Sequence, residues 1–212
     1  QSSSSAASDV YKRQVYEHLN KSHPQGWLFV ICVNSSQMHQ VCNAQFFFHY
    51  LAFMIIREME KHEIPLLEEF LYQAIFIPEG KEKPGREILK LPEIQVYIND
   101  FVKETDHCLV ACKENLVIGA VWSRQFPENE KGFGFVDSDT PEIAMSVLQS
   151  YRKQGVGTLL LKAMLDRLAR NGYRQVSLSV DILNHAYKMY QKAGFTNVGP
   201  SGESVTMIKK LF

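Results

Sequence analysis

The order of segments along the chain predicts an α+β protein, with α/β/α layers around a mixed, mostly antiparallel, twisted sheet of about six to seven strands and about four helices. Three observations carry this expectation. Two runs rich in Val, Ile, Leu and Trp, His107 to Lys113 and Leu116 to Arg124, face each other across Glu114-Asn115 as a hairpin. An apolar run, Glu142 to Leu148, passes through a glycine-bearing turn into an amphipathic helix, Thr158 to Arg170. A further strand, a helix and two short strands complete the chain.

Taken in order, Phe53 to Arg57 reads as the first strand. Glu63 to Phe76 reads as a helix, with Pro65 near its first turn and Leu66, Leu67, Phe70, Leu71 and Ala74 as its apolar stripe. The prolines and glycines of Ile77 to Gly85 exclude a regular element there, and Pro92 to Phe101 reads as a second short helix. After the hairpin, alternation along the fourth strand puts Glu142, Ala144 and Ser146 on one face and Ile143, Met145 and Val147 on the other. In the next helix Leu160, Leu161, Met164, Leu165 and Leu168 recur at the spacing of one buried face. Its start therefore lies near Gly155, and Asn171-Gly172 with Arg167 and Arg170 suits its C-terminal end. Gln175 to Val180 is the fifth strand. Asn184 is placed as the N-cap of a helix on which Ala186, Met189 and Tyr190 share a face, and Gly194 supplies its closing turn before Phe195. Thr196 to Val198 and Ser204 to Lys209 are the closing strands.

Arg152-Lys153-Gln154-Gly155-Val156-Gly157 is the segment with chemistry in it. It lies at a helix N-terminus, where unpaired backbone N–H groups and the positive end of the macrodipole favour an anion, and its two glycines let a ligand approach. A nucleotide P-loop would need Gly-Lys-Ser/Thr, but Gly157 is followed by Thr158 and Leu159. A dinucleotide fingerprint would need a third glycine where Leu160 stands. The pattern that remains, Arg/Gln-x-x-Gly-x-Gly/Ala, resembles the acyl-CoA pyrophosphate signature of the GNAT superfamily of N-acyltransferases. Asn184 to Phe195 resembles the Asn-x-Ala-x-x-x-Tyr-x-Lys-x-Gly-Phe segment of the same superfamily, and the order of elements from Met54 to Phe212 is also that of its fold.

The resemblance implies acetyl-CoA as donor, held around Arg152, Gln154, Gly155, Val156, Gly157 and Thr158, with Arg152 at the anion and the Asn184 helix against the CoA arm. It further implies a fourth strand splayed from the fifth, so that main-chain groups at Val147 and Leu148 meet the pantetheine and the N–H near Val147 meets the thioester oxygen. Tyr190 matches the tyrosine near the sulfur, a candidate general acid, and Glu142 a candidate general base acting directly or through water. Leu67 to Arg86, with Phe76 and Glu79, corresponds to the acceptor wall and is read as a substrate lid. Glu142 faces either the acceptor cleft or solvent at a strand end. Trp122 and Arg124 are acceptor-pocket candidates, although Trp in a central strand is usually core. Asp137 and Asp139 fit turn capping better than acceptor binding. His107 and His185 read as structural, and no metal is implied.

Composition limits the alternatives. The 212 residues carry 23 basic and 23 acidic side chains, so nothing pulls the chain toward nucleic acid or an anionic membrane. Cys32, Cys42, Cys108 and Cys112 form no Cys-x-x-Cys pair and no zinc spacing, which favours reduced thiols and a cytoplasmic location. Residues 1–14 (QSSSSAASDVYKRQ) resemble translated sequencing-adapter text of metagenome-derived proteins, which points to a bacterial source and is excluded from the fold. Residues 15–53 contain the apolar run Trp27 to Val33 and the start of a second, Phe46 to Ile56, each well short of the ~18 residues of a membrane span. They are read as translated upstream sequence, or alternatively as an accessory extension, with residues 54–212 as the catalytic domain. The expected activity is acetyl transfer from acetyl-CoA to a primary amine of a small molecule in a ternary complex. A protein N-terminus or lysine as acceptor, and an acyl-CoA sensor without catalysis, stay open, as does a homodimer.

Overall fold

The structure, a computed structural model, describes residues 54–212; the expectations for residues 1–53, including Phe53 in the first strand, lie outside the described residues. Seven strands form one sheet: β1 (Met54–Glu58), β2 (His107–Lys113), β3 (Leu116–Arg124), β4 (Glu142–Val147), β5 (Gln175–Asp181), β6 (Thr196–Ser201) and β7 (Ser204–Lys210). Their spatial order is β1-β2-β3-β4-β5-β7-β6. Every neighbouring pair is antiparallel except β4 and β5. That one parallel pair follows from its connection, since a helix crosses over between the two strands.

The helices are α1 (Leu66–Ala74), α2 (Pro92–Gln95), α3 (Val156–Arg170) and α4 (His185–Lys192). α1 starts three residues later than the sequence suggests, because Lys61–Glu63 forms a separate 3₁₀ turn. Glu63 closes that turn: its carboxylate accepts from Glu60 N at 2.9 Å and holds the Arg57 guanidinium with two contacts of 2.7 Å. α1 ends at Ala74, before the expected Phe76, because Ile75 is already extended. α2 is much shorter than Pro92 to Phe101. Asp100 is left-handed at φ +50, which ends any helix there, and the Arg124 guanidinium holds the non-helical segment by donating to the carbonyls of Val96, Asn99 and Asp100.

One face of the sheet carries α3 and α4, with Leu160, Leu161, Met164 and Leu168 packed on Ile118, Val121, Val176 and Leu178. A β-carbon at Gly119 would sit 3.0 Å from Leu160 Cδ1, so its absence lets α3 approach β3. On the other face Leu67, Phe70 and Leu71 of α1 cover Val110, Ala120 and Trp122. β4 divides its side chains as expected, Ile143 and Val147 toward α3 and Ala144 toward α1. Among the described residues no helix is long and apolar enough to cross a membrane.

Candidate active site

β4 and β5 pair at Glu142 and Ser177, and no further Cα pair follows along them. β5 then continues with β7 through Asp181 while β4 runs on with β3 to Val147, so the two strands open into a wedge. Antiparallel pairing fixes which backbone groups of β4 face it. Leu148 N donates to Ile118 O at 2.9 Å, which directs the even-numbered residues of β4 to β3 and the N–H and C=O of Met145 and Val147 into the wedge. Leu148 is thereby corrected as a main-chain contact for the pantetheine, because its N–H is already bonded on the far side.

At the mouth of the wedge stands the Arg152 to Gly157 turn. Gly155 caps α3 with φ +85, and Lys153 is also left-handed at φ +59, a backbone state that a non-glycine residue adopts only under constraint. Gln154 Nε2 braces the turn on Ser150 O at 2.8 Å. Val156 is fully buried and anchors the helix start, while Thr158 is exposed. At Gly157 three elements meet: a β-carbon there would lie 3.4 Å from Met145 Cε, 3.7 Å from Met189 Sδ and 3.9 Å from Val147 Cγ2. Met189 precedes Tyr190 on α4, whose N-cap is Asn184, accepting from Ala186 N at 2.9 Å. Tyr190 is buried edge-on to Phe195. Its hydroxyl has no hydrogen-bond partner among the described residues, and burial alone raises its pKa.

The remaining predicted residues separate. Arg152 is engaged by protein oxygens: its Nε donates to Val147 O at 2.8 Å and its Nη2 to the oxygens of Gln73. Arg124 is withdrawn from the acceptor pocket, being buried, bound to three carbonyls and paired with Asp106 at 2.8 Å. Trp122 is core at 1% exposure, as its place in a central strand favoured. Phe76 and Glu79 lie on the loop after α1, which folds back on its own helix through Tyr72 Oη donating to Pro84 O at 2.7 Å and Lys83 Nζ lying 3.7 Å above the Tyr72 ring. Asp137 caps its turn, accepting from Asp139 N and Thr140 N. His107 contacts Asn171 and Tyr173.

Glu142 faces neither open cleft nor solvent; it is 3% exposed. Its Oε1 accepts from Tyr97 Oη at 2.6 Å and from Gly134 N at 2.9 Å, while Oε2 has no partner. Burial raises its pKa to about 7, against the lowering effect of those two donors. Ser177, its register partner on β5, is also fully buried with an unpartnered hydroxyl. The segment Gly132 to Gly134 covers this pair, tied down by Phe133 N donating to Tyr97 Oη at 2.6 Å and by Ser201 Oγ donating to Phe133 O at 2.7 Å. Sequence reasoning missed Tyr97 and this segment; the closely spaced glycines of Gly132-Phe133-Gly134-Phe135 were the only local signal. A cavity of about 290 Å³ lies elsewhere, at the far end of α3 between Ile56, Leu109 and Arg167. Arg167 is ion-paired with Glu58 there, and none of the wedge residues lines it.

The profile of the Acetyltransferase (GNAT) family matches residues 70–195, more than half of the chain. The chain belongs to this family. A comparison with curated protein sequences finds no match. Among solved structures, this GNAT chain is similar to an N-acetyltransferase from Staphylococcus aureus Mu50 (17% identity, TM-score 0.56, 75% of this chain and 99% of that one). It is also similar to the ribosomal-protein-S18-alanine N-acetyltransferase of Escherichia coli (16% identity, TM-score 0.52, 74% and 94% covered). A third is an aminoglycoside acetyltransferase in complex with coenzyme A (22% identity, TM-score 0.50, 74% and 94% covered). At these identities the likeness is one of fold, and the GNAT chain is an acyltransferase by family.

Proposed function

We propose that the protein transfers the acetyl group of acetyl-CoA to a primary amine of a small molecule, directly and in a ternary complex, without a metal and in the cytoplasm. The observation that carries this reading is the wedge: backbone groups of Met145 and Val147 face a gap that β5 has left, beside a helix N-terminus opened by left-handed Gly155. An extended pantetheine arm takes the place of the missing strand by main-chain hydrogen bonds, and its pyrophosphate meets the N–H groups of the first turn of α3. Gln154, Gly155, Val156, Gly157 and Thr158 form that cradle, with Asn184 holding α4 against the arm.

In the transfer the amine nitrogen bonds to the acetyl carbon, the carbon–sulfur bond breaks, the amine loses a proton and the sulfur gains one. The Val147 N–H stabilises the oxyanion. Tyr190, a phenol kept protonated by burial, donates to the departing sulfur. Glu142, with a pKa of about 7, has the basicity to receive the amine proton. Five residues of strand put it about 16 Å from Val147, so it works through a water relay and not by contact. The two free thiols Cys108 and Cys112 agree with a reducing compartment.

The test is a thermal shift with acetyl-CoA, CoA and longer acyl-CoAs, followed by thiol release across a polyamine, an aminoglycoside, an arylalkylamine and an alanine-led peptide. Acetyl-CoA at about a hundredfold above its Kd stabilises the fold by ~2.7 kcal/mol, and the absence of any shift overturns the donor assignment. Binding without turnover on every amine points to an acyl-CoA sensor. Turnover on the peptide alone moves the acceptor to protein N-termini.

A further inference from the structure

Arg152 occupies the first position of the turn motif, where a cation beside an anion site is expected, yet its side chain is engaged by the protein's own oxygens. Nε donates to Val147 O at 2.8 Å, and Nη2 donates to Gln73 O at 3.1 Å and Gln73 Oε1 at 3.2 Å. Val147 is the last residue of β4, and Gln73 lies in the last turn of α1. That turn has no basic residue of its own, and the guanidinium of Arg152 brings a cation to the negative end of α1. A second tie joins the same two elements, Ser146 Oγ donating to Phe70 O at 2.6 Å in the buried layer beneath.

The peptide between Val147 and Leu148 is consequently held at both ends. Its carbonyl accepts from Arg152, and its N–H donates to Ile118 O at 2.9 Å. A peptide is planar, so two such bonds fix the rotation of the Val147–Leu148 unit and with it the exit of the chain from β4. α1 leads directly into the loop of Phe76 and Glu79, the acceptor wall, and β4 presents the donor backbone. One guanidinium thus joins the two walls between which the reacting atoms meet. Two of the three guanidinium nitrogens of Arg152, Nε and Nη2, are thus directed to protein oxygens.

We propose that Arg152 is a positioning residue that fixes the end of β4 against the last turn of α1, and that it is not a ligand of the CoA phosphates. The proposal rests on acyl-CoA-dependent transfer at this wedge. A lysine does not replace it, because a single ammonium lacks the planar fork that spans the carbonyl of Val147 and both oxygens of Gln73.

S-acetylpantetheine, which has the thioester but no pyrophosphate, separates the two roles. With wild-type protein, thiol release from acetyl-CoA and the most active amine of the panel establishes the transfer; its absence overturns that reading and is distinct from any result on Arg152. In Arg152→Ala and Arg152→Lys, kcat falls by the same factor, roughly tenfold or more, with acetyl-CoA and with S-acetylpantetheine, while the calorimetric Kd for CoA stays within about twofold of wild type. Gln73→Ala gives a smaller fall, and the double variant Arg152→Ala/Gln73→Ala is no worse than Arg152→Ala. The proposal is overturned by loss of CoA affinity with S-acetylpantetheine turnover intact, by full rescue in Arg152→Lys, by additivity of the two substitutions, or by unchanged kcat. Because Arg152 is exposed, the variants fold, which an unchanged far-UV spectrum and melting point verify.

Discussion

Burial raises the pKa of both Tyr190 and Glu142, with different chemical consequences. For the phenol it means a group that stays protonated throughout the working range and can only donate. Tyr190→Phe therefore lowers kcat by ~10²–10⁴ while leaving the Kd for CoA nearly unchanged, as stopped-flow turnover and calorimetry measure; unaltered kcat removes the residue from the chemistry. For the carboxyl, burial moves titration up to about pH 7, where it can exchange a proton. The native state holds a proton that the unfolded chain releases nearer its ordinary value. The resulting stabilisation is complete below pH ~4.5, is lost as pH rises through about 7, and amounts to about 3 kcal/mol. Denaturant unfolding measured from about pH 5 to 8 shows this decline in wild type and a flatter profile in Glu142→Gln; parallel profiles sink the assignment.

At the level of elements, two glycine positions control how the wedge is built. Gly155 caps α3 at φ +85, a conformation that costs an L-residue ~1–2 kcal/mol, so Gly155→Ala lowers the melting point by a few degrees and weakens CoA binding together. A melting point unchanged from wild type shows that the turn relaxes without strain. Gly134 lies against β5 itself: a β-carbon there would fall 2.5 Å from Leu178 C and 2.7 Å from Ser179 N. Backbone cannot yield as a flexible side chain does, so Gly134→Ala displaces the segment from β5 and from Glu142. We expect a loss of acceptor turnover with CoA affinity preserved, read by comparing kcat/KM for the amine with the Kd for CoA; equal loss of both places the segment on the donor side instead.

Across the whole molecule, stability comes from two apolar layers, one on each face of a sheet that the wedge interrupts. Trp122, at 1% exposure, is among the largest side chains of the α1 layer, and its indole N–H has no partner. Trp122→Ala costs ~3–5 kcal/mol in denaturant unfolding, whereas Trp122→Phe removes the orphaned donor and costs clearly less; equal costs contradict the orphan. The sequence by itself determined the stripes of α1 and α3, the alternation of β4, the N-cap at Asn184 and the anion-ready turn, because each is written in residues within a few turns or a few strand positions of one another. The tertiary structure alone decided the partners. Glu142 and Tyr97 are 45 positions apart, and Arg152 and Gln73 are 79 apart. Which of these meet depends on how strands order in the sheet and where β4 and β5 diverge. No local periodicity encodes that, so the motif arginine was legible as a cation while its bridge between Val147 and Gln73 was not.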